Sequence, residues 1–221
     1  MSNGTDPLKQ ITFENYSNPI CGVVSAMSYW FEALPVNDRA AWVNKDLKKG
    51  ERSKLPWWWF EHYLSVMEEL KKQKRGKQVE DRVKSIETFT RSFGGEWTNW
   101  KWDGFVTEIR DCSDVPEPIR DGAGLALPPM EVIEVLRLVT GKGQVQLIEG
   151  ECNSAGVVGL AQKSRKEKEL YDGLAHYIYR QEDGTIYSWG NKYKNLEELN
   201  EAQGNKGDDV LYELFTIVVK K

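Results

Sequence analysis

The chain has 221 residues, 40% of them hydrophobic and 29% charged, with a formal net charge of −4. Nine tryptophans and this balance exclude a disordered chain, the length is enough to bury a core without disulfides or metal, and the acidic charge argues against a nucleic-acid-binding protein. Three cysteines at 21, 112 and 152, an odd number with no close pair, argue against a disulfide framework or zinc site and for free thiols in a reduced compartment.

Residues 1–10 read as a polar leader with no apolar segment of the secretory kind, and no stretch has the length of a membrane span. The expectation is a cytoplasmic protein, or one exported by a leaderless route. Asn18-Pro19 signals a turn. Val24, Met27, Phe31 and Leu34 then recur at helical spacing, which predicts a helix over 20–33 ended by Pro35, with Cys21 in its first turn. Pro56 opens a helix through Trp57-Trp58-Trp59 to about Arg75, broken by Gly76. Another fits 79–93, stopped by Gly94-Gly95. Residues 96–128 read as irregular, with the length to line or cover a cleft. Pro129 starts a helix over 130–140, ended by Gly141.

From Gln144 the pattern changes to strands. They are expected at 145–148, 156–160, 174–180, 185–189 and 210–219, with Asp183-Gly184 as a hairpin turn. Residues 165–169 read as a charged loop or short helix, and 195–203 as a short helix. Helices first and strands last imply an α+β fold, with helices packed on an antiparallel sheet. The reading is one domain over 1–221, with a helical part over about 11–141 and a sheet part over about 142–221.

Two residues stand out chemically. A cysteine at a helix start gains unpaired N–H groups and the helix dipole, which favour the nucleophilic thiolate. Cys21 has this setting, and Gly22 beside it leaves room for a substrate backbone. Free cysteine is also a common small core residue, so the position alone leaves both roles open. Cys112 and Cys152 lack the setting and are read as structural. Of the two histidines, His62 lies mid-helix beside the tryptophan run and is read as a surface or packing residue. His176 begins a strand in Leu174-Ala175-His176-Tyr177-Ile178-Tyr179, and the hairpin returns through Tyr187-Ser188-Trp189-Gly190-Asn191. Asn191, or another polar group near the end of the returning strand, is placed to hold the imidazole in a useful tautomer. A satisfied structural histidine remains the alternative.

A cysteine opening a long helix, a distant histidine on a strand and an asparagine fifteen residues later resemble the papain-like cysteine peptidases. Within them, Cys21-Gly22-Val23-Val24-Ser25-Ala26-Met27-Ser28-Tyr29-Trp30 and the Tyr187–Asn191 ending look most like the bacterial effector and bacteriocin-processing branches. The match covers about 20 residues at each site. It implies a papain-like fold with Cys21 as nucleophile, His176 as base and Asn191 orienting the ring. Asn15, six residues before Cys21, stands where the family has an oxyanion-hole glutamine. Ser188 is the other group able to serve as third residue. No metal or organic cofactor is implied. The reaction is amide hydrolysis by a cysteine protease, or deamidation or acyl transfer by an effector or toxin on the same fold. A papain-like module that binds a partner without turnover is the alternative from another class. The substrate is a protein or peptide. Trp57–Phe60 is a core payload or an aromatic surface for a protein partner, and Lys71–Lys77 a solvated helix end or an anion-binding run.

Overall fold

The computed structural model describes residues 20–39, 64–65, 67–69, 71–73, 75–111, 124–141, 144–166, 171–188 and 190–220. Asn15, the Trp57–Phe60 run, His62 and Cys112 lie outside them. The described part is mixed helix and antiparallel sheet, as the segregation of patterns implies. In chain order come α1 (Cys21–Ala33), α2 (Gly76–Ser92), a 3-10 turn (Gly95–Asn99), α3 (Trp102–Asp111) and α4 (Pro129–Thr140). Then follow β1 (Val145–Glu149), β2 (Gly156–Ala161), α5 (Lys163–Lys166), β3 (Leu174–Arg180), β4 (Ile186–Ser188), β5 (Asn191–Tyr193), α6 (Leu196–Gln203) and β6 (Tyr212–Val219).

The six strands lie in the order β1-β6-β2-β3-β4-β5, every neighbouring pair antiparallel. The last strand of the chain therefore enters the middle of the sheet. Successive side chains along each strand alternate between the two faces. Val157, Tyr177, Tyr179, Phe215, Ile217 and Val219 join the cluster formed with α1, α2 and α4. Val158, Leu160, Ile178 and Ile186 join a smaller cluster with Leu199 of α6. Gly159 permits the register at the centre, because a Cβ there would stand 2.3 Å from the Phe215 ring.

Helix α1 is buried more widely than one stripe. Val23, Ala26, Met27 and Phe31 are in the core, and so are the small residues Cys21, Gly22, Ser25 and Ser28. A Cβ on Gly22 would meet Val132 at 3.1 Å and the Tyr177 ring at 3.3 Å. The glycine thus lets α1 pack closely between α4 and β3, rather than leaving room for a substrate. Helix α2 is tied to α4 by Arg82, which donates to both carboxylate oxygens of Glu131 at 2.8 and 2.6 Å.

Two expectations are corrected. Gly76 opens α2 rather than only ending the helix before it. The stretch 96–111 is ordered, not irregular: Trp97 and Trp100 are buried, and Glu87 of α2 accepts from the Trp102 N–H at 2.9 Å at the start of α3. That cap comes from fifteen residues away, so no local sequence pattern announces it.

Candidate active site

Cys21 is the first residue of α1, after Ile20, whose side chain makes no capping hydrogen bond. Backbone hydrogen bonding from Tyr177, Gly22 and Cys21 itself and the charge of Arg165 favour the thiolate. Burial opposes them and wins. It pushes the thiol up to about 11 from an ordinary 9.0. The depressed thiol expected from a helix start does not arise, because the helix N-terminus is covered by protein and not by water.

His176 lies on β3, next in sequence to Tyr177, whose backbone hydrogen bonding favours the thiolate. Its Nε2 is 2.6 Å from the Ser188 hydroxyl oxygen, with Ser188 at the end of β4. Both side chains are buried. Burial pushes the imidazole down from 6.5 to about 3, so the ring is neutral. Asn191 is exposed at the start of β5, paired with Ser188 across the turn. The group holding the imidazole Nε2 is therefore Ser188.

Alternation along β3 decides how the pair meets. Tyr177 and Tyr179 face α1, where the Tyr177 ring lies against Gly22 and the Tyr29 ring meets Tyr179 at 5.8 Å. His176 is paired with Leu160, and Leu160 and Ile178 belong to the cluster on the α6 face. The imidazole thus leaves β3 on the α6 face, and the thiol reaches the strand from the α1 face. They share the His176–Tyr177 peptide between them. The thiol and imidazole are both neutral, and moving the sulfur proton to the ring is strongly uphill.

Two further features belong to the site. Arg165, on α5 just after β2, supplies a cation near Cys21, and its guanidinium lies 4.6 Å from the Phe93 ring centroid. The residue is part of a charged cluster in the sequence, which carries no signal that one member turns inward. Immediately before β3 the backbone turns left-handed at Tyr171 (φ 59°), Asp172 (φ 55°) and Gly173 (φ 83°). The two L-residues carry strain of about 1–2 kcal/mol each. Tyr171 is held there by its edge contact with Phe89 at 5.3 Å and its hydroxyl's 3.2 Å bond with Ser85.

Cys152 is half-buried, and a hydrogen bond with Ser154 lowers its thiol below the ordinary range. Among the described residues, no group of three or more His, Cys, Asp or Glu gathers as a metal site, and no helix is long and apolar enough to cross a membrane. No protein-family model, curated protein or solved structure matches the chain.

Proposed function

We propose that the chain carries a thiol amidohydrolase site of papain-like design, held in a closed resting form. The observation that supports it is the thiol at the first position of α1, where the next residue, Gly22, packs on Tyr177 beside His176, whose Nε2 is engaged by Ser188. Cys21 is the nucleophile. His176 is the base, with its Nε2 held by Ser188. Ser188 positions the ring in the role the resemblance gives to Asn191. The Cys21 N–H and the Asn15 amide are assigned to the oxyanion. Opening of the protein cover lets water and substrate reach the sulfur. Solvation then lowers the thiol and raises the imidazole, which brings the two protonation equilibria toward each other.

The test is a peptidyl electrophile directed at thiols, followed by mass spectrometry of the intact chain. A single adduct on Cys21, lost in His176→Ala by about a hundredfold or more in rate, supports the reading. Ammonia released from a glutamine-bearing protein then marks a deamidase, and a new N-terminus a peptidase.

One observation favours a second reading, a papain-like module that binds a partner without turnover. Cys21 and His176 are both closed from solvent, and His176 leaves β3 on the face away from α1, which carries Cys21. Labelling of Cys152 alone, with Cys21 silent toward every peptidyl electrophile, selects it.

A further inference from the structure

A cleft of about 830 Å³ opens at the other end of α1. It begins at Tyr29, eight residues and roughly 12 Å along the helix from Cys21. Tyr29, Trp30 and Tyr179 line it with aromatic surface. Tyr29 meets Tyr179 edge to face at 5.8 Å, and Tyr179 stacks on Tyr187 at 6.4 Å. The tyrosines hold one another, so this wall is formed before any ligand arrives.

Glu32 stands on the same wall. Its carboxylate accepts from the Tyr179 hydroxyl and from Gln181 Nε2. Both donors are neutral, so they fix the carboxylate in place without cancelling its charge. Burial and the bond to Glu32 push the Tyr179 phenol well above its usual range, which keeps it a donor. Glu182 and Asp183, at the tip of the β3–β4 hairpin, add two carboxyl groups. Hydrogen bonding from Thr185 holds Asp183 below the usual carboxylate range, so it stays ionised. The described residues lining the cleft carry three carboxylates and one guanidinium, that of Arg39.

We propose that this cleft binds an arginine side chain presented by a partner polypeptide. Aromatic faces attract cations, and a fixed carboxylate beside them completes the complement of a planar guanidinium. Each Glu32 oxygen accepts one bond within the protein and has a lone pair left for the ligand. Arginine fits better than lysine because its plane stacks on a ring while its edge donates. The volume exceeds that of one side chain and leaves room for flanking main chain, so a polypeptide suits the cleft better than the free amino acid. The cleft stands apart from Cys21 and holds whether or not the thiol reacts.

Calorimetric titration of the full chain with three capped pentapeptides, identical except for a central arginine, lysine or citrulline, tests it. Citrulline keeps the shape and loses the charge. The arginine peptide is expected to bind at least about tenfold more tightly than the citrulline peptide, with lysine between them. Glu32→Gln is expected to remove that preference with an unchanged circular dichroism spectrum. If Glu32→Gln does not fold, the double change Glu182→Gln and Asp183→Asn at the rim is expected to weaken the arginine peptide and leave the citrulline peptide unaffected. Equal binding of the arginine and citrulline peptides, or no saturable binding of the arginine peptide at millimolar concentration, overturns the proposal. Free arginine binding as tightly as the peptide replaces a polypeptide ligand with a small one and overturns that part.

Discussion

The two faces of the sheet are built from different materials. The face under α1 and α4 is apolar and aromatic, with the Tyr177 and Tyr179 hydroxyls donating to Leu127 O and Glu32. The face toward α6 holds a polar layer beside its apolar cluster. There His176 meets Ser188, and Arg180 donates to both oxygens of Glu213, to Thr216 Oγ1 and to Ser154 O. The candidate nucleophile belongs to the first face and the candidate base to the second. A sheet can therefore bring two reactive residues to one peptide while giving their side chains opposite surroundings.

The largest effect is expected from breaking the polar layer. Arg180→Ala leaves Glu213, whose side chain is 10% exposed, without its cation and should lower stability by about 3–5 kcal/mol in urea unfolding, or prevent folding. A loss below about 1 kcal/mol would mean that the pair is solvated and the layer carries little.

Next come two opposite pH limbs. His176 is held neutral down to about 3 in the fold but takes a proton near 6.5 when unfolded. The unfolded state binds more protons in that window, so stability is full above about 6.5 and falls as pH drops toward 3. The slope is on the order of 1 kcal/mol per pH unit, and His176→Gln should flatten it. Cys21 behaves in the mirror sense. Its thiol ionises near 9.0 when unfolded and at about 11 in the fold, so stability is full below 9.0 and is lost as pH rises to 11. Cys21→Ala should flatten the alkaline limb alone. The buried Tyr177 and Tyr179 phenols add to the alkaline limb only above about 10, so an unchanged slope between about 9 and 10 in Cys21→Ala, or an unchanged acid limb in His176→Gln, would show that the group concerned is not closed from water.

A smaller effect is expected from Ser188→Ala, which leaves the imidazole Nε2 without its hydroxyl partner and should cost about 1–2 kcal/mol. The acid limb should shift with it, a readout that simple loss of packing does not give. The mildest change separates the thiols: with a small, unselective alkylating reagent near neutral pH, Cys152 should react before Cys21. Faster labelling of Cys21 would place the resting protein in an open form.

Much of the scaffold was legible because local chemistry marks it. Periodicity and Pro35 bound α1, Pro129 and Gly141 bound α4, alternation and Asp183-Gly184 mark β3 and its hairpin, and Asn195 caps α6 by accepting from the Glu198 N–H at 2.9 Å. What stayed hidden depends on distant partners. Nothing local places β6 between β1 and β2, caps α3 with Glu87, or turns Arg165 toward Cys21. The site was legible as residue types, not as surroundings. The helix start of Cys21 could be read, but the burial that overrides it could not. Ser188 rather than Asn191 holds Nε2 because register, not spacing from the histidine, sets which side chain shares a face with the ring.

Gly159 and Phe215 have a consequence for how this sheet tolerates change. The ring occupies the volume that a methyl group on Gly159 would need. The two positions therefore behave as one unit of shape. A larger residue at 159 is admissible only with a smaller one at 215, and a screen of paired substitutions should find survivors along that diagonal and few beside it.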